Sequence, residues 1–243
     1  MALTQTEILN GVFSIVCVVI STIIGVIIAS RYIKYKQRTL LLVGITWIGL
    51  FSPWWPSSIS FLLIIFTGSG LSAPMYFFLG NFVAPVILLI WIIALTDLKY
   101  KNSQNLLILI YASIGAAFEI TFIYFLINDP YSIGVLSGNL DVTYRGIVLF
   151  YAIFIVINML ITGILFGKES LKSSKPEIKL KGYFLIAAFV SWCIGAVMDA
   201  ALPLTAITLT IARLILISSA LEFYLGFVLP DFVKKVLIKS ELD

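Results

Sequence analysis

Residues 39–96 read TLLLVGITWIGLFSPWWPSSISFLLIIFTGSGLSAPMYFFLGNFVAPVILLIWIIALT, with no acidic or basic side chain among them. An α-helix rises about 1.5 Å per residue and needs about 20 residues to cross about 30 Å of hydrocarbon. The stretch is therefore long enough for two crossings. Thr67-Gly68-Ser69-Gly70 supplies a flexible polar turn between them, with Ser72 as a cap and Pro74 as a first-turn proline. Ser52-Pro53-Trp54-Trp55-Pro56 falls inside the first crossing. A helix ending at Ser52 would hold about 14 residues and reach only about 21 Å, so the sequence predicts one helix kinked between Gly49 and Pro56.

Outward from this stretch the same criterion finds seven segments: 8–32, 39–66, 74–96, 105–127, 143–167, 180–200 and 206–229. The chain of 243 residues is 61% apolar and only 12% charged, which fits solvation by hydrocarbon. We expect an all-α, multi-pass protein of the cell membrane: a single seven-helix domain over 1–229, followed by a cytoplasmic interfacial tail over 230–243. Cys17 and Cys193 lie inside apolar runs, where a thiol behaves as a small hydrophobe. Histidine is absent, which removes the commonest ligand for zinc, haem and copper, so no metal or other cofactor is expected.

Alternating the seven segments puts 14 of the 16 basic residues on one side. The positive-inside bias then predicts an external amino terminus and a cytoplasmic carboxyl terminus. No basic residue precedes the first apolar run, whereas Arg31, Lys34, Lys36 and Arg38 follow it, which reads as a retained helix and not a cleaved signal. In the tail, Phe232, Val233, Val236 and Leu237 share a helical face with Lys234, Lys235 and Lys239 elsewhere. A short amphipathic helix on the inner leaflet is expected, each lysine gaining about 1 kcal/mol from anionic lipid. The lipid bilayer is thus the first partner, and topological anchoring outweighs docking of a cytoplasmic signalling partner.

Polar side chains within the spans carry what the sequence says of function. Asn81 and Arg213 each lie about 7 residues, or about 10 Å, inward from the outer helix ends. Asp199 closes the sixth segment at that level, and Glu119 lies about 21 Å from the inner start of the fourth. A charge near the bilayer centre costs about 2.5 to 3.5 kcal/mol, so Arg213 should pair with Asp199 or Glu119. Such a pair locks helices together or lines a ligand pocket, and the sequence leaves both readings open. Trp54, Trp55 and Tyr76 belong to the same level, as pocket walls or as an interfacial aromatic belt. Asn158 and Glu222 sit deeper, where a helix-to-helix hydrogen bond is the default.

Seven helices in this orientation resemble microbial rhodopsins in topology, but no lysine occurs between Lys181 and Lys234 to carry retinal. The seven-helix sugar transporters share the plan, yet no Pro-Gln dipeptide is present. Paired features, Gly25 with Gly163 and Trp47-Ile48-Gly49 with Trp192-Cys193-Ile194-Gly195, keep a parallel-repeat transporter in view. The ending Glu222-Phe223-Tyr224-Leu225-Gly226-Phe227-Val228-Leu229-Pro230-Asp231-Phe232-Val233-Lys234-Lys235 resembles that of seven-helix sensor modules in prokaryotic signalling proteins. With Ser52-Pro53-Trp54-Trp55 and Pro176-Glu177-Ile178-Lys179-Leu180-Lys181-Gly182, the chain resembles an uncharacterised family of archaeal seven-helix membrane proteins. The resemblance implies a sensor-like bundle with no defined ligand.

No enzyme is expected. Asp97 and Asp141 have no neighbouring nucleophile, metal cluster or glycine-rich phosphate loop. The five lysines of 168–181 reflect topology and lipid contact, not nucleic-acid binding. The expectation is a sensor or receptor-like protein that binds a small molecule in an outward-facing polar pocket, with a small-solute or proton-coupled transporter as the alternative.

Overall fold

The computed structural model describes residues 3–238. Thr4 starts the first helix, α1 (Gln5–Tyr35), through a reciprocal cap. The Glu7 amide donates to the Thr4 hydroxyl at 3.2 Å, and the Thr4 amide donates to Glu7 Oε2 at 2.9 Å. The second span consists of α2 (Arg38–Leu50), a 3-10 turn at Ser52–Trp54 and α3 (Trp55–Thr67). The break falls in the expected interval, because Pro53 lacks the N–H that would bond the Gly49 carbonyl. The third span breaks as well, into α4 (Ala73–Asn81) and α5 (Ala84–Leu98). Pro85 is the cause: it cannot donate to the carbonyl of Asn81, and the continuous helix expected over 74–96 is corrected accordingly.

The remaining spans are α6 (Gln104–Asn128), α7 (Gly146–Leu171), α8 (Pro176–Ala201) and α9 (Ala206–Phe227). Seven spans among the described residues are long and apolar enough to cross a membrane, the architecture of a multi-pass membrane protein. Beyond them α10 (Asp231–Leu237) leaves Phe232 and Val236 exposed and holds Lys234 Nζ 3.3 Å from Glu177 Oε1 at the start of α8. Lys239 lies outside the described residues.

One element lies outside the helical bundle and was not expected from the sequence. Between α6 and α7 an antiparallel hairpin pairs β1 (Gly134–Ser137) with β2 (Asp141–Tyr144), Gly134 opposite Tyr144 and Ser137 opposite Asp141. Gly138, at φ +63°, takes the left-handed position of the three-residue connection. Thr143 and Tyr144 are therefore strand, and the fifth span starts three residues later than the expected 143.

Close helix contact requires small residues where backbones meet. A Cβ on Gly44 would stand 2.7 Å from the Cβ of Ala29, and one on Gly25 would stand 2.7 Å from the Gly44 carbonyl oxygen, so α1 and α2 approach through this pair. The bundle centre is aromatic: Trp47 stacks on Phe223 at 3.7 Å, and Trp91 lies 4.9 Å from Phe189. At the end opposite the hairpin, Asp97 holds Arg38 at 3.6 Å and Lys101 at 2.6 Å, while Glu169 holds Lys99 at 3.7 Å and Lys172 at 2.9 Å. Arg38, Lys99, Lys101 and Lys172 make this the basic end of the bundle.

Candidate functional site: an arginine cavity under the hairpin

A cavity of about 170 Å³ lies at the hairpin end, walled by residues of α1, the two broken spans, α7, α8, α9 and the hairpin. Irregular backbone at membrane depth is tolerated where it is buried in protein or lines a cavity, and both helix breaks contribute here. The 3-10 turn places Trp54 on the wall, and the α4 end places Asn81 there. Arg213, on α9, is 2% exposed. Its Nη2 donates to Asn10 Oδ1 at 2.8 Å and forms an ion pair with Asp199 Oδ1 at 3.3 Å. Asp199 Oδ2 accepts from Trp54 Nε1 at 2.8 Å, and the Arg213 guanidinium stands over the Trp54 ring, 5.5 Å from its centroid.

This network does not use up the arginine. Among the described residues, Arg213 Nε and Nη1 are buried without a hydrogen-bond acceptor, so three of the five guanidinium N–H groups are unengaged. Trp192 Nε1, on the same wall, is another buried donor without a partner. The Tyr144 hydroxyl, beside the Asn81 side chain, forms no well-aligned hydrogen bond.

The hairpin roofs the cavity and is fastened by one backbone atom. The Leu140 carbonyl accepts from Asn10 Nδ2 at 2.8 Å and from the paired Ser57 and Tyr76 hydroxyls, which lie 3.1 and 3.0 Å from it and 2.6 Å from each other, so that one of the two donates to the carbonyl and the other to its neighbour. Ser60 Oγ donates to the Asn139 carbonyl at 2.9 Å, and the Asn139 amide donates to Glu7 Oε1 at 3.2 Å. Asn10 thus joins the roof to Arg213 through its two ends. The next hairpin residue, Asp141, also faces the cavity. Burial pushes its carboxyl above the ordinary carboxylate range, against the opposing pull of the Val142 amide and Arg213.

Of the residues singled out by sequence, Arg213, Asp199, Trp54, Tyr76 and Asn81 meet at this cavity. Asn81 turns its amide back to donate to the Phe77 carbonyl at 2.8 Å. Trp55 is half-buried and outside the lining. Glu119 is not on the wall either, and Arg213 pairs with Asp199 instead. The reason is azimuth: Phe118 faces inward to stack on Tyr151 at 3.9 Å, and Glu119, about 100° further round α6, lies beside Tyr151 with both carboxyl oxygens buried and without a hydrogen-bond partner.

The two deeper residues do not meet. Tyr111 donates its hydroxyl to Asn158 Oδ1, tying α6 to α7, whereas Glu222 Oε1 accepts from Ser218 Oγ at 2.9 Å on its own helix. The expected inner contact between Asn158 and Glu222 is corrected to two separate ones.

Asn10, Ser57, Asp141, Tyr144 and Trp192 also line the cavity and were not among the expected pocket residues. Asn10 had a readable signal, an amide just inside the outer end of the first apolar run, near the level at which Asp199 closes the sixth segment. The hairpin had another, in Val135, Leu136, Val142 and Tyr144 flanking Gly138-Asn139. Comparison of the chain with protein-family models, curated proteins and solved structures returns no match.

Proposed function

We propose that this protein is a receptor-like or sensory membrane protein that binds a small molecule in the cavity beneath the hairpin, with the hairpin end facing outward and the basic end facing the cytoplasm. The observation that carries the reading is Arg213: a buried guanidinium, wholly inside the bundle, with three N–H groups unengaged on a cavity wall. A pure helix lock would satisfy the charge it buries, because leaving buried donors unmet costs stability. The 14-to-2 division of basic residues supports the orientation.

Binding is favoured over transport by what lies below the cavity. Trp47 precedes Trp54 on the second span, Phe189 precedes Trp192 on α8, and Phe223 follows Arg213 on α9. The interlocked rings of Trp47, Phe189 and Phe223, with centroids 3.7 to 6.2 Å apart, therefore close the bundle on the basic-end side. A transporter would need a route through this floor.

The test is cysteine accessibility in sealed vesicles, with Cys17 and Cys193 replaced by alanine. Ala196→Cys, on the cavity wall, and Asn139→Cys, on the hairpin, should react with an impermeant thiol reagent from the outer face, and Lys172→Cys only from the inner face. Reaction of Ala196→Cys from both faces would favour transport, and none from either face would leave only the helix lock.

A further inference from the structure

The hydrogen-bonding capacity left over in the cavity is weighted toward donors. Most acceptors are committed: the Leu140 carbonyl is taken by Asn10 and by the paired Ser57 and Tyr76 hydroxyls, Asp199 Oδ2 takes Trp54, and Asp199 Oδ1, which accepts no hydrogen bond among the described residues, faces Arg213 Nη2 in the 3.3 Å ion pair. The donors are not, since Arg213 Nε, Arg213 Nη1 and Trp192 Nε1 are buried without partners. An occupant that satisfies this wall must therefore supply an acceptor. Charge decides which kind. The Asp199 and Asp141 carboxyls share the cavity with one guanidinium, so an anionic ligand would set three acidic groups against one basic group, and a cationic ligand, though it could pair with a carboxyl, would bring no acceptor to the unmet donors. An uncharged acceptor meets the donors and leaves the ionic balance unchanged.

The rest of the wall sets body and size. Ala84, Val148, Ile155, Val156 and Ala196 present hydrocarbon, which favours an apolar body. The volume of about 170 Å³ is close to the roughly 150 Å³ that accommodates benzene in an engineered apolar cavity. Resting on the ligand-binding reading above, we infer that the cavity takes an uncharged molecule about the size of a six-membered ring, with a carbonyl oxygen turned toward Arg213 and Trp192.

The probes are four compounds sharing one ring: cyclohexanone, cyclohexanecarboxylate, cyclohexylammonium and methylcyclohexane. Each is titrated against the full chain in lipid nanodiscs and followed by saturation-transfer NMR, with protein-free nanodiscs reporting the lipid contribution. Cyclohexanone should bind saturably and about tenfold or more tighter than methylcyclohexane, the difference one well-made buried hydrogen bond supplies. Trp192→Phe, which keeps the ring and removes the donor, should weaken it about five- to tenfold. Arg213→Lys, which keeps the charge opposite Asp199 and removes the planar fork, should abolish it.

Tightest binding by the carboxylate or the ammonium would overturn the ligand class. So would equal binding by methylcyclohexane, a cyclohexanone signal that survives both substitutions, or no saturable binding by any probe, the result expected if ordered water alone satisfies the donors. In each of these cases an outward-accessible Ala196→Cys would still uphold the pocket, whereas an unreactive one would mean that the pocket reading itself had failed.

Discussion

Replacing Arg213 by leucine separates the ionic contribution of the site from its packing. The substitution removes the 2.8 Å hydrogen bond to Asn10, the 3.3 Å ion pair to Asp199 and the cation–π contact with Trp54. The hydrogen bond contributes about 1 kcal/mol and the cation–π contact about another 1 kcal/mol. Two scales apply to the ion pair. Truncating one partner of a buried pair in water-soluble proteins costs about 3–5 kcal/mol. Polar contacts between membrane helices couple by only about 0.6–1.7 kcal/mol, because the unfolded chain in the membrane also finds partners. The smaller scale governs here: the Asp199 side chain keeps 18% of its surface exposed, sits near the end of α8 and retains the Trp54 N–H. Arg213→Leu should therefore cost about 3 kcal/mol in all. Asp199→Asn, which can still accept from Trp54, should cost about 1 kcal/mol. The double variant should fall short of the sum by about 0.6–1.7 kcal/mol. Reversible unfolding by SDS from mixed micelles, followed by far-ultraviolet circular dichroism, measures all four corners without relying on Trp54 fluorescence. Additivity within about 0.3 kcal/mol would refute the pairing as an energetic unit.

Two further predictions concern the roof and the α1–α2 seam. Asp141 has a carboxyl raised above its ordinary 3.8 by burial, so its ionised form is disfavoured in the fold. Its contribution to stability is fully present below that ordinary value and is lost as pH rises through the higher folded value. The stability advantage of Asp141→Asn over the native chain should therefore grow across that interval and then level off, as read from melting temperatures against pH; a flat or falling difference would contradict the burial argument. Gly44→Val should lower stability by about 1–3 kcal/mol in the same SDS titration, because its Cβ would press on Ala29 and the Gly25 carbonyl. Unchanged stability would mean the two helices do not approach as closely as described.

The spans were legible because hydrocarbon imposes a simple rule on them, about 20 predominantly apolar residues with few charges, and the chain obeys it seven times. Pro53 announced its break because it interrupts a segment whose length leaves no other solution. Pro85 carries the same chemistry, but eleven residues after Pro74 it left an apolar segment of adequate length, and length alone gave no reason to divide it. The hairpin was hidden for the opposite reason. Strands of four residues have too little alternation to stand out beside spans of more than twenty, and burial of Leu140 depends on its packing in one cluster with Phe61 and Ile64 of α3 and Ile15 of α1.

Depth and azimuth divide the site in the same way. Depth follows from counting residues at about 1.5 Å each, and among the residues that the count put at one level Arg213, Asp199, Asn81 and Tyr76 line one cavity. Azimuth depends on which helices become neighbours, which the count does not contain. Glu119 shares the depth and misses the cavity, turned beside Tyr151 by a single residue step past Phe118. Asn10 shows the other side of the same limit. Ranking side chains by charge put carboxylates first as partners for Arg213, yet at 2.8 Å the amide is nearer than the Asp199 oxygen at 3.3 Å. An amide both accepts and donates, so Asn10 can take the arginine with its oxygen and hold the Leu140 carbonyl with its nitrogen. A carboxylate at that position could do only the first. The hydrogen-bonded link between the buried charge and the hairpin roof therefore depends on an uncharged residue, while the field of Arg213 acts on the roof directly at Asp141.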